Sequence, residues 1–214
     1  MGYNRGVKGF DHSQGAVKLL TGKDLPAEGR DRLLVVAIDL IYADGFGAVD
    51  AARVCAESGM TSGQFEEHFG GIEDLFEQAV RLHDAWEREA WLRCVEEIAP
   101  GDPRGQLLAM FDFMEDVFRN PNYKGCLFIT AAGAFSDRDH PVHKACREHK
   151  RETRRWIAEM AKAAGVVYPD WFADEYMAIF EGALILEQVH QHDDAVRVTR
   201  PMIERLLATH LDET

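Results

Sequence analysis

The segment from Val49 to Phe69 constrains the fold more than any other part of the chain, because its spacing indicates two short helices joined by a tight turn. Gly59 can adopt the positive φ of such a turn, and a capping-box pattern starts the second helix at Thr61. The small side chain of Cys55 lets the two helices cross closely. The side chains expected to lock the two helices together are apolar: Val54, Met60 and Phe65. The segment therefore predicts a helix-turn-helix.

The rest of the chain also predicts helices, since apolar residues recur at helical spacing and strand-like alternation is absent. We expect about nine helices, covering residues 27–43, 49–57, 61–69, 72 to beyond 86, 103–118, 124–135, 141–165, 170–190 and part of 194–210. The helix over residues 124–135 is apolar enough to be buried on all sides. Asp170 is expected to cap its helix. Pro201 is expected either to kink the last helix or to place its start near Thr199.

Several stretches of the chain occur in the same order and at the same spacing as the sequence motifs of one known family. They are Arg30–Tyr42, Gly45-Phe46, Val54–Ala56, Gly59–Thr61, Gly63–Phe69, Glu73–Phe76, Gly125–Phe128 and Asp139–Gly165. In these stretches the chain resembles the TetR/AcrR family of ligand-controlled transcriptional regulators. The resemblance leaves out only about the first 25 residues.

The resemblance implies an all-α fold with two functional parts. Residues 26–71 would form a three-helix DNA-binding head that contains the helix-turn-helix, and residues 72–214 a helical ligand-binding and dimerisation domain. Residues 1–25 remain as a flexible N-terminal arm. The implied function is a ligand-responsive repressor that binds palindromic double-stranded DNA as a dimer. A small apolar or amphipathic effector of unknown identity would release it.

Candidates for contact with DNA come from the predicted helix-turn-helix: Arg53, Thr61, Ser62, Gly63, Gln64 and His68. Gln64 can pair with adenine in the major groove, and Thr61 or Ser62 with phosphate oxygens. Gly63 would allow the backbone to approach closely. The alternative is that Thr61 and Gln64 only cap a helix and that His68 packs beneath it.

The positions that contact phosphate in the family are chemically different in this chain. Val49 and Asp50 stand where the family usually has a threonine, and Glu66 where it usually has a tyrosine. Ile72 replaces a basic residue before the fourth helix, and Glu67 adds a second carboxylate to the recognition helix. Each change removes a hydrogen-bond donor or brings an anion toward phosphate.

The charge of the predicted head also conflicts with DNA binding. The whole chain has a formal charge of −13, and residues 26–80 contain three arginines against eleven carboxylates, a net charge of −8. Nucleic-acid surfaces normally show a local basic excess. An alternative hypothesis is therefore a TetR-like dimer whose degenerate acidic head does not bind DNA, and which acts as a ligand-binding or protein-interaction module.

The N-terminal arm has the opposite sign, with four cations against two carboxylates in residues 1–25. Together with two arginines of the head, these cations could reach an adjacent minor groove or the DNA backbone. The cations concerned are Arg5, Lys8, Lys18, Lys23, Arg30 and Arg32. The alternative is a disordered tail that carries a few charges.

The predicted ligand-binding and dimerisation domain contains aromatic and methionine side chains of the kind that line small-molecule pockets. Those expected to line an effector pocket are Trp86, Phe111, Met114, Phe118, Phe128, Trp156, Tyr176 and Phe180.

The last two helices carry more apolar surface than a terminal helix pair can hide, which predicts a homodimer through these helices. That surface comprises Met177, Ile179, Phe180, Ala183, Leu184, Leu186, Val189, Met202, Ile203, Leu206 and Leu207.

Clusters of histidine invite a metal interpretation, but their spacing argues against it. One is His140, His143, Cys146 and His149; the other is His190, His192, Asp193 and Asp194. Steps of three rotate side chains around a helix by about 60° each, so the first four cannot share one ion, although His140 and His143 alone could. In the second cluster, Asp193 or Asp194 is expected to cap the start of a helix. We expect no metal, no cofactor and no catalytic residues, and the four dispersed cysteines are expected to be buried thiols.

No stretch approaches the roughly 18 apolar residues of a membrane span. The first residues also lack the apolar core of a secretory signal. We therefore expect a cytoplasmic protein with no membrane contact.

Overall fold

Nine α-helices and one short 3₁₀-helix form the regular structure of the described residues, which contain no strand. The structure is a computed structural model that describes residues 28–120, 123–190 and 194–211. The predicted all-α fold is confirmed. The predicted arm, residues 1–25, lies outside the described residues.

The helices follow one another with short connections. They are α1 (Gly29–Asp44), the 3₁₀-helix (Phe46–Ala48), α2 (Ala51–Ser58), α3 (Ser62–His68), α4 (Ile72–Ile98), α5 (Pro103–Phe118), α6 (Leu127–Ala134), α7 (Pro141–Ala163), α8 (Pro169–His190) and α9 (Ala195–Leu211).

The described residues divide into two compact units, and α4 and α7 each contribute to both. The first unit contains residues 28–88 and 126–149, which include α1, α2, α3 and α6. The second contains residues 89–120, 123–125, 150–190 and 194–211, which include α5, α8 and α9. The functional boundaries predicted after residues 25 and 71 stay predictions.

The core of the first unit is built on α1, which packs against both α2 and α3. The sequence predicts one apolar face for this helix, but Leu34, Val35 and Ile38 are buried as well. A helix in contact with neighbours on several sides buries apolar residues around most of its circumference. Phe46 extends this core, since its ring makes edge contacts with Phe76 at 5.2 Å and Phe135 at 5.3 Å.

The core of the second unit is an aromatic cluster between α5 and α8. Phe111 makes edge-to-face contacts with Tyr176 at 5.7 Å and with Phe180 at 6.0 Å. The buried Tyr176 hydroxyl donates a 2.7 Å hydrogen bond to the carbonyl oxygen of Leu107, and burial raises its pKa well above the usual range. α9 packs against both α8 and α5.

Three sequence predictions about the helices are corrected. α6 is half-exposed rather than buried on all sides, since Leu127, Phe128 and Ala131 are buried while Thr130 and Gly133 are exposed. Several of its apolar residues are small, so the helix has less apolar surface area to bury than its composition suggests.

The other two corrections concern helix starts. α8 begins at Pro169, and Asp170 lies inside its first turn, where the carboxylate binds Arg154. Proline commonly occupies the first helical position because its missing N–H is not needed there. α9 begins at Ala195 with Pro201 in its interior, so the alternative of a start near Thr199 is wrong, and the kink at Pro201 stays a prediction. The Thr199 hydroxyl donates instead to the Ala195 carbonyl at 2.8 Å.

Candidate nucleic-acid interface

The turn between α2 and α3 has the geometry of a helix-turn-helix. Gly59 ends α2 in the left-handed region with φ of 71°, and the N–H of Met60 donates to the Cys55 carbonyl at 3.0 Å. The residues predicted to lock the helices are buried: Val54, Met60 and Phe65. The predicted helix-turn-helix is thus confirmed, with Cys55 buried at the crossing.

The start of α3 is fixed by a capping box, as the sequence predicts. The N–H of Gln64 donates to Thr61 Oγ1 at 3.2 Å, and the Thr61 N–H donates to Gln64 Oε1 at 2.9 Å. The Thr61 hydroxyl also donates to Gln64 Oε1, at 3.1 Å. Both side chains therefore stabilise the helix end while they remain exposed.

The exposed side of α3 brings most of the candidate residues together. Thr61, Ser62, Gly63, Gln64 and His68 are all exposed, and Phe65 and Phe69 are buried beneath them. His68 therefore does not pack under the helix. Glu66 and Glu67 are exposed on the same short helix, which contains no lysine or arginine. The face presented to solvent is polar and anionic.

Arg53 is held by contacts inside the head. Its guanidinium forms an ion pair with Asp44 and donates to the Ala48 carbonyl at 3.0 Å. The Arg53 N–H donates to the Asp50 carboxylate at 2.8 Å, so Asp50 caps the start of α2. The residue that replaces the family's threonine thus has a structural role here.

The other two arginines of the described head, Arg30 and Arg32, also have hydrogen-bond partners within the first unit. Arg30 donates to the Gln78 side chain at 3.1 Å through Nε and lies 6.0 Å from the ring centroid of Phe69. Arg32 donates to the Ser58 carbonyl at 2.5 Å. Three cations of this region thus stabilise the head itself.

An acidic cavity of about 530 Å³ lies where α4 begins. It is lined by Gly70, Gly71, Ile72, Glu73, Asp74, Glu77 and Pro141. Hydrogen bonds from the Gln78 side chain and from the Gly70 N–H hold the pKa of Asp74 below its usual range. The start of α4, where the family commonly has a basic residue, is therefore anionic.

Comparison with known proteins finds a matching domain model in the C-terminal half of the chain and a related transcriptional regulator. The family model for the tetracyclin repressor-like C-terminal domain matches residues 103–203. The HTH-type transcriptional regulator YjdC of Escherichia coli K12 is 26% identical over 124 residues, which cover 58% of this chain and 62% of that protein. The matched part thus spans less than two thirds of that relative. Residues 103–203 are thus similar to the C-terminal domain of tetracyclin repressor-like proteins, and part of the chain is similar to a helix-turn-helix regulator.

Several solved structures share the fold of this chain. A TetR-family regulator from Streptomyces coelicolor, SCO4454, superposes with a TM-score of 0.77 at 24% identity, covering 85% of this chain and 95% of that one. A putative regulator from Streptomyces avermitilis, sav143, gives a TM-score of 0.71 at 20% identity, with 84% and 96% covered. Reduced NemR of Escherichia coli gives 0.71 at 16% identity, with 81% and 93% covered.

The predicted pocket residues are divided between the two units. Trp86 and Phe128 belong to the first unit, and the other six belong to the second. Phe111, Met114, Tyr176 and Phe180 are buried in the second core, whereas Trp86, Phe118 and Trp156 are partly exposed. None of the eight lines the acidic cavity or a second cavity at the start of α8.

A buried polar cluster in the first unit was not predicted. His149 Nδ1 lies 2.7 Å from Asp84 Oδ1, and its ring stacks on Phe128. The His83 ring lies 5.4 Å from the Phe128 ring, and its Nε2 atom lies 3.2 Å from the Tyr42 hydroxyl. These residues come from α1, α4, α6 and α7, and no local sequence pattern connects them.

The histidines weighed as metal ligands have separate partners. His140 stacks on Phe135, His143 Nδ1 lies 2.8 Å from the Phe135 carbonyl oxygen, and His149 binds Asp84. Within the described ranges no three histidine, cysteine or carboxylate residues are placed to hold a metal ion. His192 and Asp193 of the second cluster lie outside those ranges.

The cysteines agree with the expectation of buried thiols. All four cysteines are buried, and burial raises the pKa of the Cys94 thiol to about 12. Such thiols are poor nucleophiles at neutral pH. No helix in the described part of the chain is both long and apolar enough to cross a bilayer.

The apolar surface predicted for the last two helices is partly buried within one chain. Phe180, Ala183, Leu184, Ile203 and Leu207 are in the core of the second unit. Two predicted residues of this surface are exposed, Val189 and Met202, together with Ile185 and Val198, which were not predicted. The uncovered stripe therefore runs along both α8 and α9.

Proposed function

We propose that this chain is a ligand-responsive repressor that binds palindromic DNA as a homodimer through α3. The observation that carries the proposal is the complete helix-turn-helix, which presents Thr61, Ser62, Gly63 and Gln64 to solvent on a helix anchored by buried Phe65. The matches to a tetracyclin repressor-like domain and to the HTH-type transcriptional regulator YjdC support it.

The capping box defines which groups can contact DNA. Gln64 Oε1 already accepts two hydrogen bonds from Thr61, so its amide NH₂ is the group available for an acceptor on a base edge. Bidentate pairing with adenine needs both the amide oxygen and the amide nitrogen. Such pairing would therefore weaken the capping box, and a single hydrogen bond from Nε2 is the contact we expect.

Dimerisation is supported by the uncovered stripe on α8 and α9. On α8 the exposed residues Ala178, Ile185 and Val189 and the half-exposed Gly182 follow steps of four, three and four, which place them on one helix face. The small residues would let a partner helix approach closely. A two-fold four-helix interface would bury this stripe, and two heads about 34 Å apart would contact successive major grooves.

Release by an effector is supported by the continuity of α4. This helix begins at Ile72, directly after the head, and its C-terminal part from residue 89 onward belongs to the second unit. An effector bound among the predicted pocket residues would shift α4 and change the separation of the two heads. The small apolar or amphipathic character of this effector follows from those aromatic side chains.

The test is fluorescence anisotropy with a labelled fragment of the DNA upstream of the protein's own gene, against a scrambled fragment of equal length. We expect sequence-dependent binding that weakens as salt rises. Thr61→Ala combined with Ser62→Ala should weaken it, whereas Glu159→Gln, an exposed change on α7, should not. Equal affinity for both fragments at low salt would overturn the proposal.

The second candidate is a TetR-like dimer whose acidic head does not bind DNA and which serves as a ligand-binding or protein-interaction module. The internal contacts of Arg30, Arg32 and Arg53 favour it, as do the exposed carboxylates of Glu66 and Glu67. The double change Glu66→Tyr and Glu67→Lys discriminates between the candidates. If the original chain binds DNA as tightly as this variant does, the second candidate fails.

A further inference from the structure

The largest exposed aromatic side chains of the described residues lie together where α7 ends and α8 begins. Trp171 is 67% exposed and Tyr168 is 61% exposed, and Val167 beside them is also exposed. Large apolar groups that cluster on a surface commonly mark a binding site. This region is in the second unit and does not include any residue of the helix-turn-helix.

These side chains line a cavity of about 730 Å³, a size typical of sites for small organic ligands. Its lining consists of Val167, Tyr168, Pro169, Asp170, Trp171, Asp174 and His210. Four of these residues are apolar or aromatic, two are carboxylates and one is an imidazole. Trp171 and Asp174 are three positions apart on α8, so they share a helix face.

The carboxylates of the cavity are held in place by one arginine. Arg154 donates to Asp174 at 2.5 Å and 3.0 Å through two nitrogens, and to the Asp170 side chain at 2.9 Å. A further bond, at 3.0 Å, reaches the Asp170 carbonyl. Side chains fixed in this way lose little conformational freedom when a ligand binds.

The net charge of the cavity region favours a cation. The hydrogen bonds from Arg154 hold the pKa of Asp174 below its usual range, so this carboxylate is ionised at neutral pH. Asp170, Asp174 and Glu175, which lies 2.7 Å from His210 Nε2, outnumber the single Arg154. The chain as a whole, at −13, adds to the attraction of cations.

We propose that this cavity is a binding site for a small organic cation, such as a quaternary or protonated amine that bears an apolar group. The faces of the indole and phenol rings attract cations through their quadrupoles, and tryptophan is the best of the aromatic side chains at this. The apolar part of the ligand would contact Val167 and Pro169. This site is separate from the effector pocket predicted from the aromatic core, and it does not depend on DNA binding.

The experiment is isothermal titration calorimetry of the full chain with benzyltrimethylammonium, and with benzenesulfonate as an anion of similar size. We expect saturable binding of the cation with a dissociation constant on the order of 1 mM, and no binding of the anion. Trp171→Ala and Asp174→Asn should each weaken cation binding by about 5- to 30-fold. Leu92→Ala, which shortens an exposed apolar side chain elsewhere in the second unit, should leave it unchanged.

Three results would overturn the proposal. One is the absence of saturation at 20 mM cation, on the order of twenty times the expected dissociation constant. Another is equal binding of the anion, and a third is full affinity in Trp171→Ala. In sedimentation the same variant should keep the molecular mass of the original chain, because these rings are free to bind a ligand and are not covered by a second copy of the chain.

Discussion

The Nδ1 atom of His149 lies 2.7 Å from the Asp84 carboxylate, and its ring stacks on Phe128 with 3.5 Å between ring centroids and 6° between planes. His149 is on α7, Asp84 on α4 and Phe128 on α6. One buried imidazole thus joins three helices of the first unit. Asp84 also forms an ion pair with Arg88 one turn further along α4, so the carboxylate has partners on two sides.

We expect His149→Ala to lower the free energy of unfolding by about 2–4 kcal/mol. The change removes a stacked ring from the core and leaves a mostly buried carboxylate with one partner fewer. Chemical denaturation followed by circular dichroism measures the loss. His68→Ala is the matched control, because His68 is exposed and its removal should change stability by less than about 0.5 kcal/mol. Equal stability of the two variants would show that the imidazole is not a structural link.

The capping box should stabilise α3 through the hydroxyl of Thr61, which a conservative change to serine preserves. Thr61→Ala removes the acceptor of the Gln64 N–H and should cost about 1 kcal/mol of stability. Thr61→Ser keeps the hydroxyl and should cost much less. Denaturation curves of the three proteins at one pH provide the comparison. A loss of similar size in the serine variant would mean that the methyl group of Thr61, not its hydroxyl, matters.

Acid should remove a stabilising contribution from Asp74. Its pKa in the folded chain is below the ordinary value of 3.8, so its ionised form is stabilised by folding. This contribution is complete well above pH 3.8 and disappears as the pH falls through the folded pKa. The difference in unfolding free energy between the original chain and Asp74→Asn should therefore shrink on acidification from pH 6 to pH 3. A difference that stays constant over this range would contradict the assignment.

The exposed stripe on the last two helices predicts a change of oligomeric state. Ile185→Asp combined with Val189→Asp would place two charges in the proposed interface, and we expect monomers in sedimentation experiments. Leu92→Asp puts one charge on an exposed apolar residue of α4 and should leave the dimer intact. Dimers of unchanged affinity in the double variant would place the interface elsewhere.

Much of the fold follows from local signals in the sequence. Asp102-Pro103 predicts the start of α5, and the structure has Pro103 at its first position with the Asp102 carboxylate accepting from Arg104 N–H at 3.1 Å. Thr61 and Gln64 predict α3 in the same way. In each case the residues that decide the outcome are within one helical turn of one another, so the physical cause is visible in the sequence.

The contacts made by Arg53 and His149 depend on how the helices pack. Arg53 is a candidate for phosphate contact by sequence, but its pairing with Asp44 depends on how α1 and α2 cross. His149 and Asp84 are 65 positions apart, and helical spacing within α7 says nothing about a partner on α4. Both cases require the packed structure, because the pairing is decided by the arrangement of helices rather than by local spacing.

The proline inside α9 has a consequence for how this helix opens. Pro201 has no N–H, so the Arg197 carbonyl four residues earlier receives no helical hydrogen bond from it. Residues 195–200 and the turns after Pro201 are thus joined by an incomplete ladder of backbone bonds. Amides on the two sides of the break are free to exchange with solvent water at different rates, and the shorter segment can unwind while the longer one stays folded.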